Sequence, residues 1–153
     1  MDFKKYVGGL FSRDILTLMG VFIITVGILM VFIIPDISKR KEKTNLLNAH
    51  RALEKIKEGL EAFKKDVGRY PTSEEGLLSL FQNPGIKGWR GPYIKQRIMV
   101  DPWGKLYRFG KYENGNKTKY FVASSGNNRK WETTENYLKK HQTGGDDIIK
   151  WLE

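Results

Sequence analysis

Residues 15–34 read ILTLMGVFIITVGILMVFII, with no charged side chain among them. Twenty residues of helix rise about 30 Å, the thickness of a bilayer's hydrocarbon core. A helix that is apolar on every face must be covered by lipid, by other helices or by a protein core. This run is too long for a cleavable secretory signal, and no small-x-small site follows it. It predicts a single membrane-spanning helix ending at Pro35. Lys4, Lys5 and Arg13 precede it and Lys39, Arg40, Lys41 and Lys43 follow it, so charge alone leaves the orientation open. The chain then divides into an N-terminal tail (residues 1–14), a span (residues 15–35) and a polar remainder (residues 36–153) long enough for one small globular head.

Nearly all of the net charge of +10 belongs to that remainder, because only Lys4, Lys5, Arg13, Asp2 and Asp14 lie before it. Such a charge suits nucleic acid, anionic lipid or acidic partners, and it also keeps a protein soluble. The absence of cysteine excludes disulfides and thiolate metal sites.

Past Pro35 the helical pattern resumes. Leu46, Ala49, Leu53, Ile56, Leu60, Phe63 and Val67 recur at spacings of three and four, one continuous stripe suited to packing on a sheet. Glu61 and Lys65 form a favourable i,i+4 pair. Gly59 costs the helix about 1 kcal/mol against alanine, and Gly68 is a natural left-handed stop. Tyr70, Pro71 and Thr72 then read as a turn. Thr72 or Ser73 caps a short second helix with Glu74 and Glu75 in its first turn, an apolar face of Leu77, Leu78, Leu80 and Phe81, and an end at Asn83, Pro84 and Gly85. Residues 93–100 offer a weak strand and residues 105–112 a better one. Asn114 and Gly115 signal a hairpin, and residues 119–123 (KYFVA) return. SSGNNRK is a loop, and residues 133–141 form a helical turn before the closing GGDDIIKWLE. The expected fold class is α+β, with a long N-terminal helix packed on a small antiparallel sheet.

No catalytic constellation emerges. There is no phosphate-cradling glycine loop, no nucleophile elbow and no His-Glu-x-x-His. Ser38 and Lys41 match Ser-x-x-Lys by chance, beside the span and without companion motifs. The two histidines, His50 and His141, lack partner spacing. The chain is therefore not expected to be an enzyme. Arg90, Lys95, Arg97 and Arg108 interleave with Trp89, Tyr93, Trp103 and Phe109, a pattern that can bind a nucleic-acid strand by charge and stacking. A small domain's aromatic core with solvated charges explains the same pattern, so nucleic acid is not the expected partner. Asp146 and Asp147, with Ser124, Asn127 and Asn128 upstream, are oxygen donors of the kind that hold calcium. Either acid would equally cap a terminal turn.

Taken together, GRYPTSEEGL, Pro84, the WRGPYI at residues 89–94, Asp101-Pro102-Trp103-Gly104 with Tyr107, Ser124-x-Gly126, and Asp146-Asp147-Ile148 with Trp151 resemble the major pseudopilins of bacterial type II secretion systems. The resemblance runs from about Leu46 to Trp151. It implies a pilin-like fold and a structural subunit of the secretion pseudopilus. Such a subunit is anchored once in the inner membrane, keeps its head in the periplasm, and assembles with copies of itself, minor pseudopilins and the inner-membrane secretion machinery. Tyr70, Trp89, Tyr93 and Trp103 would then be core or corner residues, with Pro71, Gly76, Pro102 and Gly104 fixing turns around Asp101. The alternative is a membrane-tethered basic module of the same fold that holds DNA, polysaccharide or a client protein.

The resemblance also implies leader cleavage and methylation, and two registers fit. One cuts after Gly9, so that the mature chain starts at Leu10 with Asp14 in place of the family's glutamate. The other aligns Gly27 and Pro35 with the family's glycine and proline, and puts Arg13 at the cut site and Leu18 at the glutamate. Finally, it implies calcium between Ser-x-Gly and Asp-Asp-Ile. Asn128 stands where the family has aspartate, and residues 129–143 form a basic insert carrying Arg129, Lys130, Lys139 and Lys140. The expectation is a weak or vestigial calcium site of Asn128, Asp146, Asp147 and backbone carbonyls, with the insert taking over part of the loop's packing.

Overall fold

The computed structural model describes residues 13–152, apart from the side chains at positions 13, 14, 32, 33, 35, 36 and 114. Two compact units divide it, Met1–Lys43 and Thr44–Glu153. One helix, α1 (Arg13–Val67), runs from the first unit into the second. The backbone stays helical through position 35, where the sequence places the end of the span.

In the first unit the apolar side chains are exposed on every face of α1. Leu18, Phe22, Ile23 and Val31 keep 65–69% of their surface. Among the described residues no helix is long and apolar enough to cross a membrane. Of the uncharged run, residues 15–31 and Ile34 have described side chains.

In the second unit the stripe read from the sequence forms the core from Ala49 to Phe63, while Leu46 is exposed and Val67 is half-buried at its edge. Ala49, Leu53, Ile56, Leu60 and Phe63 are essentially inaccessible, and they cluster with Leu80, Ile94, Trp103, Val122 and Ile148. Glu61 pairs back to Lys57 at 3.6 Å rather than forward to Lys65. Gly59 has a reason to sit in a helix, since a Cβ there would lie 2.6 Å from Ile94 Cγ2. The residue that weakens the helix locally lets the segment around Ile94 pack onto it.

The sheet has three antiparallel strands in the order β1 (Arg108–Asn114), β2 (Lys117–Ser124), β3 (Ile148–Trp151). Gly115, at φ +60°, opens the two-residue loop that sets Asn114 opposite Lys117. β3 pairs Trp151 with Phe121 and Ile148 with Ser124, and Lys150 ion-pairs with Glu54 on α1. A short helix, α2 (Glu135–Lys139), falls within the stretch expected to turn helically and lies against β1.

Two expected elements differ. The second helix is a single 3₁₀ turn, Leu77–Leu80. Thr72 and Glu75 do form a reciprocal cap: Glu75 N donates to Thr72 Oγ1 (3.2 Å), and Thr72 N donates to Glu75 Oε2 (2.8 Å). Gly76 then takes φ +51° and ψ −161°, which ends the turn before a helix can propagate. The weak strand over residues 93–100 is also a 3₁₀ turn, Gln96–Met99, followed by an isolated bridge from Val100 to Leu106.

Candidate functional site

The residues singled out in the sequence gather into three clusters in the second unit. The first surrounds the 3₁₀ turn. Arg69 grips Glu75 with both guanidinium nitrogens at 2.7 Å, which lowers the Glu75 carboxyl from 4.5 to about 2. Tyr70 is buried and packs on Tyr120 at 4.6 Å between ring centroids, and Pro71 is buried beside it. Trp89 is half-buried. Its indole N–H donates to Ser79 O at 2.7 Å and its ring meets Tyr93 edge-on. Tyr93, also half-buried, accepts from Arg90 N and donates to Asp66 on α1 at 3.0 Å. The Gly91-Pro92 peptide between them is cis.

The second cluster is the Asp-Pro-Trp-Gly turn. Asp101 is buried. Its Oδ1 accepts from Trp103 N (3.0 Å) and Lys105 N (2.8 Å), and its Oδ2 accepts from the Ser124 hydroxyl (2.6 Å). Ser124 Oγ in turn accepts from Gly126 N at 3.1 Å. One carboxylate therefore closes its own turn, with Gly104 at φ +85°, and ties that turn to the end of β2. Pro102 is half-buried and Trp103 is buried with its indole N–H unpaired. The Tyr107 hydroxyl is also buried and unpaired, and burial together with the nearby Asp101 charge pushes it up from the ordinary phenol value. These contacts make a scaffold and supply no nucleophile–base pair.

The third cluster is the acidic end. Asp146 Oδ2 accepts from Asn128 N at 2.8 Å. Asp147 is buried, and its Oδ2 accepts from Glu132 N (2.9 Å), Thr133 N (2.6 Å) and the Thr133 hydroxyl (2.7 Å). Asn128 therefore joins the acids through its backbone. Its side-chain oxygen accepts from Lys130 N, and its amide donates to Glu132 Oε2 at 2.7 Å. Sequence reasoning missed Glu132 and Thr133, which lie inside the basic insert and carry no local signal. Gly126 is required here, because a Cβ on it would lie 2.2 Å from Asp146 O. Neither acid caps a terminal turn; both precede β3. The insert packs as well, with Trp131 stacked on Phe121 and His141 against Trp151 at 4.9 Å.

The chemistry of a hard-cation site is half present. Asp146 Oδ1 and Asp147 Oδ1 are buried without hydrogen-bond partners, as carboxylate oxygens reserved for a cation would be. Among the described residues no group of three acidic, histidine or cysteine side chains comes together to hold a metal. Gly9 and Leu10 lie outside the described residues, as does the Asp14 side chain.

The profile of the family described as type II secretion system (T2SS), protein G matches residues 36–140. The type II secretion system core protein G of Aeromonas hydrophila is 35% identical over 104 residues, covering 61% of this chain and 72% of that protein. Its counterpart in Vibrio cholerae is 35% identical over 99 residues, covering 61% and 67%. In fold, the chain is similar to the major pseudopilin from the type 2 secretion system of enterohaemorrhagic Escherichia coli, with a TM-score of 0.53 at 24% identity, covering 73% of this chain and 87% of that one. With the profile spanning more than half of the sequence, this chain belongs to the type II secretion system protein G family.

Proposed function

We propose that the chain is a filament-forming subunit of a type II secretion pseudopilus. In this reading residues 15–35 anchor it once in the bacterial inner membrane and the head lies in the periplasm. Its partners are copies of itself, minor pseudopilins and the inner-membrane secretion machinery. Leader cleavage and methylation at Gly9 and Leu10 belong to the same reading. Its main support is the contrast between the two units. The head closes its own core, whereas the first unit leaves Leu18, Phe22, Ile23 and Val31 uncovered on all sides of α1. Lipid before assembly and neighbouring helices after it would cover such a surface. No step of the function requires catalysis.

Calcium, where it binds, would take the free oxygens of Asp146 and Asp147 and hold the insert against the start of β3. The charge lost at Asn128 makes that binding weak.

The test is alkaline extraction of membranes, followed by electron microscopy of cells that also carry a prepilin peptidase and the secretion assembly components. The full chain should stay in the membrane pellet and appear in sheared filaments, and a Phe22→Asp, Ile23→Asp variant should be lost from both. A full chain released at high pH, or a variant that still assembles, would sink the reading.

A further inference from the structure

On the second unit, the Asp101 turn, the start of β1 and the basic insert border an open pocket of about 400 Å³. Lys105, Arg108 and Arg129 line it, with Leu106, Ser125 and Trp131. The three cations arrive from two stretches of chain, Lys105 and Arg108 from one and Arg129 from the other. Lys105 is placed by the bond from its backbone N to Asp101, and Arg108 opens β1 with its guanidinium 5.1 Å from the centre of the Trp131 ring. Arg129 sits in the left-handed region at φ +59°, with its N–H on Gly126 O at 3.3 Å. All three side chains are exposed. Among the described residues none of them meets a carboxylate within ion-pair distance. Asp101, four residues before Lys105, is buried and already accepts three hydrogen bonds, and Glu132, three residues after Arg129, is exposed and accepts from the Asn128 side-chain amide. Like charges gathered without a counter-ion repel one another, and an arriving anion relieves that repulsion. A guanidinium held over an aromatic face keeps N–H donors for a planar carboxylate.

The rim is apolar on one side, where Leu106 keeps 66% of its surface. Trp131 already stacks on Phe121 at 6.2 Å and carries Arg108, so it is not a free platform for a nucleic-acid base. We propose that this pocket receives an acidic peptide segment of a protein partner, with its carboxylates on Arg108, Arg129 and Lys105 and an apolar neighbouring side chain on Leu106. The pocket adjoins the acidic end, because Arg129 directly follows Asn128, whose backbone N–H donates to Asp146, and it does not require the chain to form filaments.

The test titrates the full chain, in a non-ionic detergent, into a fluorescent capped peptide of alternating glutamate and leucine and follows anisotropy. Arg108→Gln with Arg129→Gln should weaken binding about tenfold or more, the loss expected for removing charge-assisted hydrogen bonds. Lys95→Gln with Arg97→Gln removes the same charge elsewhere on the surface and should change binding less than about twofold, a screened long-range effect. Thermal melts of both variants should match the parent. Equal weakening by the two pairs would reduce the site to general charge and overturn the proposal. So would absence of peptide binding, or stronger competition by inorganic phosphate or a single-stranded oligonucleotide than by unlabelled peptide.

Discussion

Asp101 shows how one side chain can hold together segments far apart in sequence. Its two oxygens serve two backbone N–H groups of its own turn and the hydroxyl of Ser124. Asp101→Ala would leave those buried donors unpaired and should destabilise the head by about 3 kcal/mol or more, read from urea unfolding. Asp101→Asn should recover most of that loss, because the amide oxygen still accepts from the turn and the Ser124 hydroxyl can rotate to accept. A loss from asparagine as large as from alanine would show that charge, rather than shape, is what the site needs. Trp103→Ala should cost about 3–5 kcal/mol as a large-to-small core change. Glu75 contributes a pH dependence. Its carboxyl is depressed, first by the Arg69 hydrogen bonds, from 4.5 to about 2. The stability it adds is therefore complete above about 4.5 and is lost as pH falls toward about 2. Glu75→Gln should flatten acid unfolding in that window, and an unchanged profile would mean that the pair is fully solvated.

At the scale of elements, Gly59 reverses its own propensity. Alanine there should favour an isolated helix by about 1 kcal/mol. In the folded head its Cβ would run into Ile94 Cγ2, and Ile94 is 6% exposed with nowhere to go. Gly59→Ala should thus lower stability by about 1–2 kcal/mol, measured as a lower urea midpoint. The core face of α1 was legible in the sequence because a period of three to four residues repeats there over several turns. The hairpin was legible because turn chemistry is local. The 3₁₀ turn at Leu77–Leu80 was read as a helix because the capping residues are genuine, and the interruption depends on the backbone angles of Gly76. β3 was not legible, since four residues carry too little alternation to stand out. The acidic end was half legible. Asp146 and Asp147 are conspicuous in a basic chain, but Glu132 and Thr133 reach Asp147 only through the tertiary fold.

For the whole molecule, the two units make separable predictions. Residues 36–153 expressed without the apolar run should be soluble, show mixed helix and sheet by circular dichroism, and unfold cooperatively. An insoluble product would mean that the head needs the run to fold. Millimolar calcium should raise the melting temperature of that head modestly, and Asp146→Ala should abolish the rise without lowering the calcium-free value much. Asp147→Ala should lower the calcium-free value as well, because it also frees Glu132 N and Thr133 N. No shift in the parent at millimolar calcium would mean that the acidic end serves packing alone. β3 has a further consequence for the order in which the head can be built. Ile148 and Leu152 belong to the same core as Ala49 and Leu53, roughly a hundred positions earlier. A ribosome delivering this chain must release β3 from its exit tunnel before the helix stripe finds its last partners. Until then the nascent head holds an open seam.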